Sequence, residues 1–100
     1  MQLSGKAIRY LRSLGHPLEP VVRIGKEGTS RGVTHAVEQA LNDHELIKVR
    51  ILLEAPIEPR DAGDYLAIHT GATLVQVLGR TVLLYRRHPE EPKIVLPVKD

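Results

Sequence analysis

Apolar residues first recur at helical spacing near the start of the chain. Ala7, Ile8, Leu11 and Leu14 share one face, and Lys6, Arg9 and Arg12 share the opposite one. Ser4 is placed to cap this helix, and Gly15-His16-Pro17 to end it near Leu14. After Pro20, the run Val21-Val22-Arg23-Ile24 reads as a short strand. A second helical period follows from Arg31 to about Asn42, with Ser30 as its cap and Val33, Val37, Ala40 and Leu41 as its buried stripe. Gly32 costs that helix some propensity near its start. From Glu45 to Leu53 the period changes to two. Ile47, Val49 and Ile51 alternate with Lys48 and Arg50, giving one buried face and one basic face.

Pro56 and Pro59 bracket a turn, and Pro59 suits the first turn of a third helix over about Arg60 to Thr70, with Gly71 just past its end. Gly63 weakens this helix. Thr73–Leu78 and Arg80–Tyr85 are two strands joined tightly at Gly79-Arg80, a hairpin. The expected body is residues 1–87, followed by an extended, proline-rich tail over 88–100. In that tail, Ile94-Val95-Leu96 either adds a short edge strand or lies against the body. The element order is α-β-α-β-α-β-β, an α/β fold. Right-handed crossovers place the helices of both β-α-β units on one face of a mixed four-stranded sheet.

Composition narrows what such a domain does. The chain has 100 residues, no cysteine and only three aromatic side chains, Tyr10, Tyr65 and Tyr85. Disulfides and thiolate metal sites are excluded, which fits a cytoplasmic location. No apolar run approaches the roughly 20 residues that span a bilayer, and residues 1–6 carry no apolar signal core. Scarce aromatics argue against base stacking on a strand platform, so any RNA contact is expected through backbone and shape. The net charge of +2 is unevenly placed. Residues 1–31 hold six bases and two acids, residues 32–72 three bases and seven acids, and residues 73–100 five bases and three acids. That segregation predicts a local basic surface.

The four residues Gly25-Lys26-Glu27-Gly28 stand between the first strand and the second helix. Glycines there let a backbone pass close to another molecule, and the helix N-terminus behind them favours an anion. A Gly-x-x-Gly loop entering a helix clamps nucleic-acid backbone in KH-type modules, although the bare pattern also occurs in ordinary turns. It is not a Walker A loop, which has four residues between its glycines followed by Lys-Ser/Thr.

Four blocks now add up. Leu14-Gly15-His16-Pro17-Leu18-Glu19-Pro20-Val21-Val22 is followed by Ile24-Gly25-Lys26-Glu27-Gly28, then by His44-Glu45-Leu46-Ile47-Lys48-Val49, then by Val75 to Arg86 with its closing Leu84-Tyr85-Arg86. In this order and spacing they resemble the CRM domain (chloroplast RNA splicing and ribosome maturation), in its bacterial single-domain, YhbY-like branch. The resemblance covers about residues 3–87. It implies a fold similar to the C-terminal domain of translation initiation factor three. It also implies RNA binding, with bacterial members associated with precursors of the large ribosomal subunit. Two positions depart from the family pattern. Glu27 sets a carboxylate beside an expected phosphate, and Thr29 replaces an apolar anchor.

The candidate RNA-binding residues are Gly25, Lys26, Glu27, Gly28 and Arg31 at the loop, and Lys6, Arg9 and Arg12 on the first helix. Lys48 and Arg50 on the second strand, Arg80 at the hairpin and Arg86 after it complete the set. Tyr85 reads as a core wedge rather than a base-stacking ring. His16, His35, His44, His69 and His88 are scattered without metal-ligand spacing, and Asp61 and Asp64 read as charge partners of a helix start. No nucleophile, base and orienting group assemble. The expectation is a monomeric, non-catalytic RNA-binding protein without metal, cofactor, membrane or small-molecule substrate, acting on large-subunit ribosomal RNA. The alternative is a protein-binding adaptor that touches RNA incidentally.

Overall fold

A computed structural model describes residues 2–97. Ser4 starts helix α1 (Gly5–Gly15), its hydroxyl oxygen accepting the Ala7 N–H at 3.0 Å. Ser30 does the same for α2 (Arg31–His44), accepting the Val33 N–H at 3.2 Å. Pro59 opens α3 (Pro59–Thr70), which ends at Gly71 in the left-handed region. The strands are β1 (Pro20–Ile24), β2 (Leu46–Ile51), β3 (Thr73–Leu78) and β4 (Thr81–Tyr85), in the order β1-β2-β4-β3. β1 runs parallel to β2, and β4 runs antiparallel to both of its neighbours. The mixed four-stranded sheet is as the periodicity predicts.

The two sheet faces are covered unequally. α2 and α3 lie on one, where Val37, Leu41, Ala62 and Leu66 pack on Ile24, Ile47, Val49, Ile51, Val82 and Leu84. α1 lies on the other and covers only part of it. Leu11 packs there with Leu46, Val75, Leu83 and Tyr85. Gly15 brings α1 flat onto the sheet, because a Cβ at that position would stand 2.7 Å from the Leu83 side chain. The core is aliphatic on both sides of the sheet, and Tyr85 is its largest buried side chain.

The boundaries of α2 and β2 differ from the sequence reading. α2 runs on to His44, and Glu45 is its C-cap at φ 63° rather than the first residue of β2. A non-glycine residue in that region is costly unless its surroundings hold it. Here the buried Glu45 carboxylate accepts the N–H groups of His88, Lys93 and Ile94 at 2.8–2.9 Å. That staple fastens residues 88–97, which form no strand but place Ile94 and Leu96 against the core around Leu11. β2 ends at Ile51 rather than Leu53, because the Arg80 guanidinium takes the carbonyls of Ile51 and Leu52 at 2.8 and 3.1 Å. Leu53 then stands in solvent.

Candidate nucleic-acid interface

Past the end of α1, one face of the sheet lies open. Register places its side chains in two cross-strand rows. The first row is Pro20, Lys48, Leu83 and Gln76, and the second is Arg23, Arg50, Thr81 and Leu78. Arg12, Ser13 and His16 from the last turns of α1 border Lys48, Gln76 and Leu78 across a shallow cavity of about 490 Å³. A tighter slot of about 230 Å³ lies between the rows, with Leu83 at its base. Neither cavity is lined by an acidic residue.

The cations here differ in their partners. Lys48 Nζ donates to the His16 carbonyl at 3.0 Å, so it also holds the C-terminal end of α1 against β2. Arg12, Arg23 and Arg50 are exposed, and none makes a side-chain hydrogen bond or ion pair among the described residues. Arg23 and Arg50 are direct neighbours across the β1–β2 pair. Like charges at such a position cost stability, so this pair is not explained by the fold. Lys6 and Arg9 continue the outer stripe of α1 away from Arg12 at three-residue steps and make contacts of their own within the molecule.

β1 leads from Arg23 directly into Gly25-Lys26-Glu27-Gly28. This segment is a turn closed by the Gly28 N–H donating to the Gly25 carbonyl at 2.9 Å. Lys26 and Glu27 at its tip are exposed. Gly28 adopts φ 66°, and a Cβ there would meet Pro56 at 3.2 Å. Its glycine is therefore required by the turn itself, whatever approaches from outside. Gly25 is not constrained in this way, since a Cβ there meets only Leu52 at 3.8 Å. Behind the turn, α2 presents the unbonded first-turn N–H groups of Arg31 and Gly32, with no acidic residue in that turn. Exposed Arg31 adds its charge at the same helix end.

Arg12, Lys48 and Arg50 therefore share one surface, and β1 links it to Gly25, Lys26, Glu27, Gly28 and Arg31. Arg23 belongs with them and was absent from the sequence-derived set. Its alternation with Val22 and Ile24 was visible, but its neighbour became apparent only with the β1–β2 register. Arg80 lies at the end of the sheet with its guanidinium bound to backbone. Arg86 departs furthest from expectation. It stands on the α2/α3 side, ion-paired with Glu38, and its guanidinium also donates to the Thr70 carbonyl and the Asn42 side chain at 2.7 Å each. Those bonds tie the end of β4 to two helices and leave Arg86 no place on the open face.

Tyr85 is buried, and its hydroxyl has no hydrogen-bond partner among the described residues. Burial and then the nearby Glu45 carboxylate push that hydroxyl above the usual tyrosine range, against a weaker pull from Arg87. Among the described residues, no three His, Asp or Glu side chains gather as a metal site.

The fold and this surface define a class. The chain matches the CRS1/YhbY (CRM) domain over residues 3–86 and belongs to that family. It is 38% identical over 93 residues to a Pseudomonas aeruginosa protein named as a probable RNA-binding protein, covering 93% of this chain and 89% of that one. It is 40% identical over 97 residues to a Haemophilus influenzae protein named RNA-binding protein, covering 97% of each. A solution structure from Staphylococcus aureus superimposes with a TM-score of 0.81 at 36% identity, covering 96% of this chain and all of the other.

Proposed function

We propose that this chain is a non-catalytic RNA-binding protein that acts in the cytoplasm on ribosomal RNA during assembly of the large ribosomal subunit. The observation that carries the reading is the adjacent pair Arg23 and Arg50 on an open sheet face bordered by Arg12 of α1, all three without a partner among the described residues, with Arg23 on the strand that leads into the Gly25–Gly28 turn. Cations kept free of protein acids are available to phosphates, and a side-by-side arginine pair gains most from an anion laid across it. Relatives named for RNA binding support the same chemistry. The turn and the start of α2 supply backbone N–H groups for a phosphate, with Lys26 and Arg31 beside them. Glu27 opposes that contact and tempers its affinity.

An adaptor reading draws on a different surface. An apolar groove of about 420 Å³ lies beside β1, with Leu14, Leu18, Val21 and Ile94 on its walls. Salt separates the two readings. Binding of a folded large-subunit rRNA fragment is expected to weaken by orders of magnitude between about 50 and 200 mM salt. Lys26→Ala is expected to weaken it roughly five-fold further and lower the salt slope by about one. In-cell crosslinking with sequencing of the attached RNA is expected to recover large-subunit precursor sequences. A flat salt response, or crosslinks outside that RNA, would overturn the assignment.

A further inference from the structure

We infer that the slot between the two rows of the open sheet face accepts one unpaired nucleobase of the bound RNA. The inference rests on the RNA-binding reading and adds to it the part of the RNA that enters this chain. At about 230 Å³ the slot has room for one planar base while the sugar stays outside. Four of its eight lining residues are apolar. Leu18 and Pro20 stand on the β1 side, Leu78 on the β3 side, and Leu83 forms the base. Leu78 is 64% exposed at the β3 end of the second row, where it offers an aliphatic contact to a ring.

Two uncharged polar groups also line the slot, the Gln76 amide and the Thr81 hydroxyl. Both residues are half-buried, and neither side chain has a hydrogen-bond partner among the described residues. An amide offers a donor and an acceptor together, which matches the edge of a base and not a phosphate, an acceptor only. Arg50 and Lys48 edge the same slot, so a sugar-phosphate backbone passing over them would hold the base above Leu83. A base already outside a helix enters without the cost of unstacking. The ligand is therefore a structured RNA with one unpaired nucleotide beside its helix, and the helix backbone meets the surrounding cations.

The test uses the full chain and an RNA hairpin pool with a randomised loop containing 4-thiouridine. Irradiation followed by mass spectrometry is expected to place crosslinks in the segment from Gln76 to Leu78. The pool is expected to bind roughly five-fold tighter than a fully paired duplex of equal length at the same salt. Gln76→Ala and Leu78→Ser, at positions where no bond is broken, are each expected to reduce that preference and together to abolish it. Lys26→Ala is expected to weaken pool and duplex alike and leave the preference intact. Crosslinks confined to other segments, or an unchanged preference in the double variant, would overturn the slot while leaving RNA binding standing. Failure of the wild-type chain to bind either RNA would overturn the RNA-binding reading itself.

Discussion

The open sheet face and the corner where β4 meets α2 treat charge in opposite ways. At the corner, Arg86 meets Glu38, Asn42 and the Thr70 carbonyl, and the Glu45 carboxylate is ringed by three backbone N–H groups. On the open face, Arg23 and Arg50 stand next to each other, and neither is ion-paired with an acid among the described residues. Both regions are built from residues that look alike in sequence, as basic side chains flanking apolar strands. The difference lies in whether the fold itself supplies the counter-charge. Where it does, the charge holds elements together. Where it does not, the charge stands on the surface, and the proposed RNA contact draws on it.

The sharpest way to break this comparison is Glu45→Ala. It removes the acceptor of three part-buried N–H groups and leaves alanine at a left-handed φ, so stability is expected to drop by about 1–3 kcal/mol. The urea midpoint measures this, and RNA affinity at fixed salt is expected to stay unchanged under conditions where the variant remains folded. The same residue gives a pH signature. Burial works against its charged form, but the His88, Ile94 and Lys93 N–H groups and the nearby His88 charge hold its carboxyl below the ordinary range. Its contribution is therefore complete above the ordinary carboxylate range and disappears as pH falls through the lowered value. Glu45→Gln is expected to flatten that part of the acid stability profile. An RNA affinity that fell in Glu45→Ala while the variant stayed folded would merge the two regions into one site.

Arg86→Met is expected to cost less, about 1–2 kcal/mol, because its partner Glu38 is partly exposed and the ion pair is screened. Here too RNA affinity is expected to hold, and a salt slope reduced by about one would instead return Arg86 to the RNA contacts. The smallest stability effect, with the opposite sign, is expected on the open face. Arg23→Thr relieves the like-charge pair, so thermal unfolding is expected to show stability unchanged or raised by a few tenths of a kcal/mol. RNA affinity is expected to fall roughly five-fold in the same variant. A loss of stability there would give Arg23 a structural role and end the contrast.

Much of this architecture was legible because each element carries its own period and punctuation. Ser4 and Ser30 cap as expected, and Thr73–Leu78 has the predicted limits. The burial of Tyr85 was also readable, from its place at the end of an apolar strand. What the sequence withheld depends on partners distant along the chain. Arg80 and Arg86 are cations in the sequence, but carbonyls at Ile51, Leu52 and Thr70 decide what they do. Gly63 looks like a weak point in α3 until Leu74 is found 2.8 Å from where its Cβ would stand. Gly28 suggested closeness to a ligand, yet it answers first to φ and to Pro56. Substitution at Gly28 therefore tests folding, and Lys26 is the position that tests the loop's contact.

Both outer strands of the sheet carry a slip in register, and the two inner strands do not. β1 has one extra residue at Val21, and β3 has one at Val75. Such bulges bend an exposed edge out of line with a flat incoming strand. On β1, Pro20 removes a backbone donor and Arg23 adds charge, which further discourages pairing. Exposed sheet edges are where chains at high local concentration zip into fibrils. Here both edges carry such a bulge, which disfavours edge-to-edge pairing between copies of the chain.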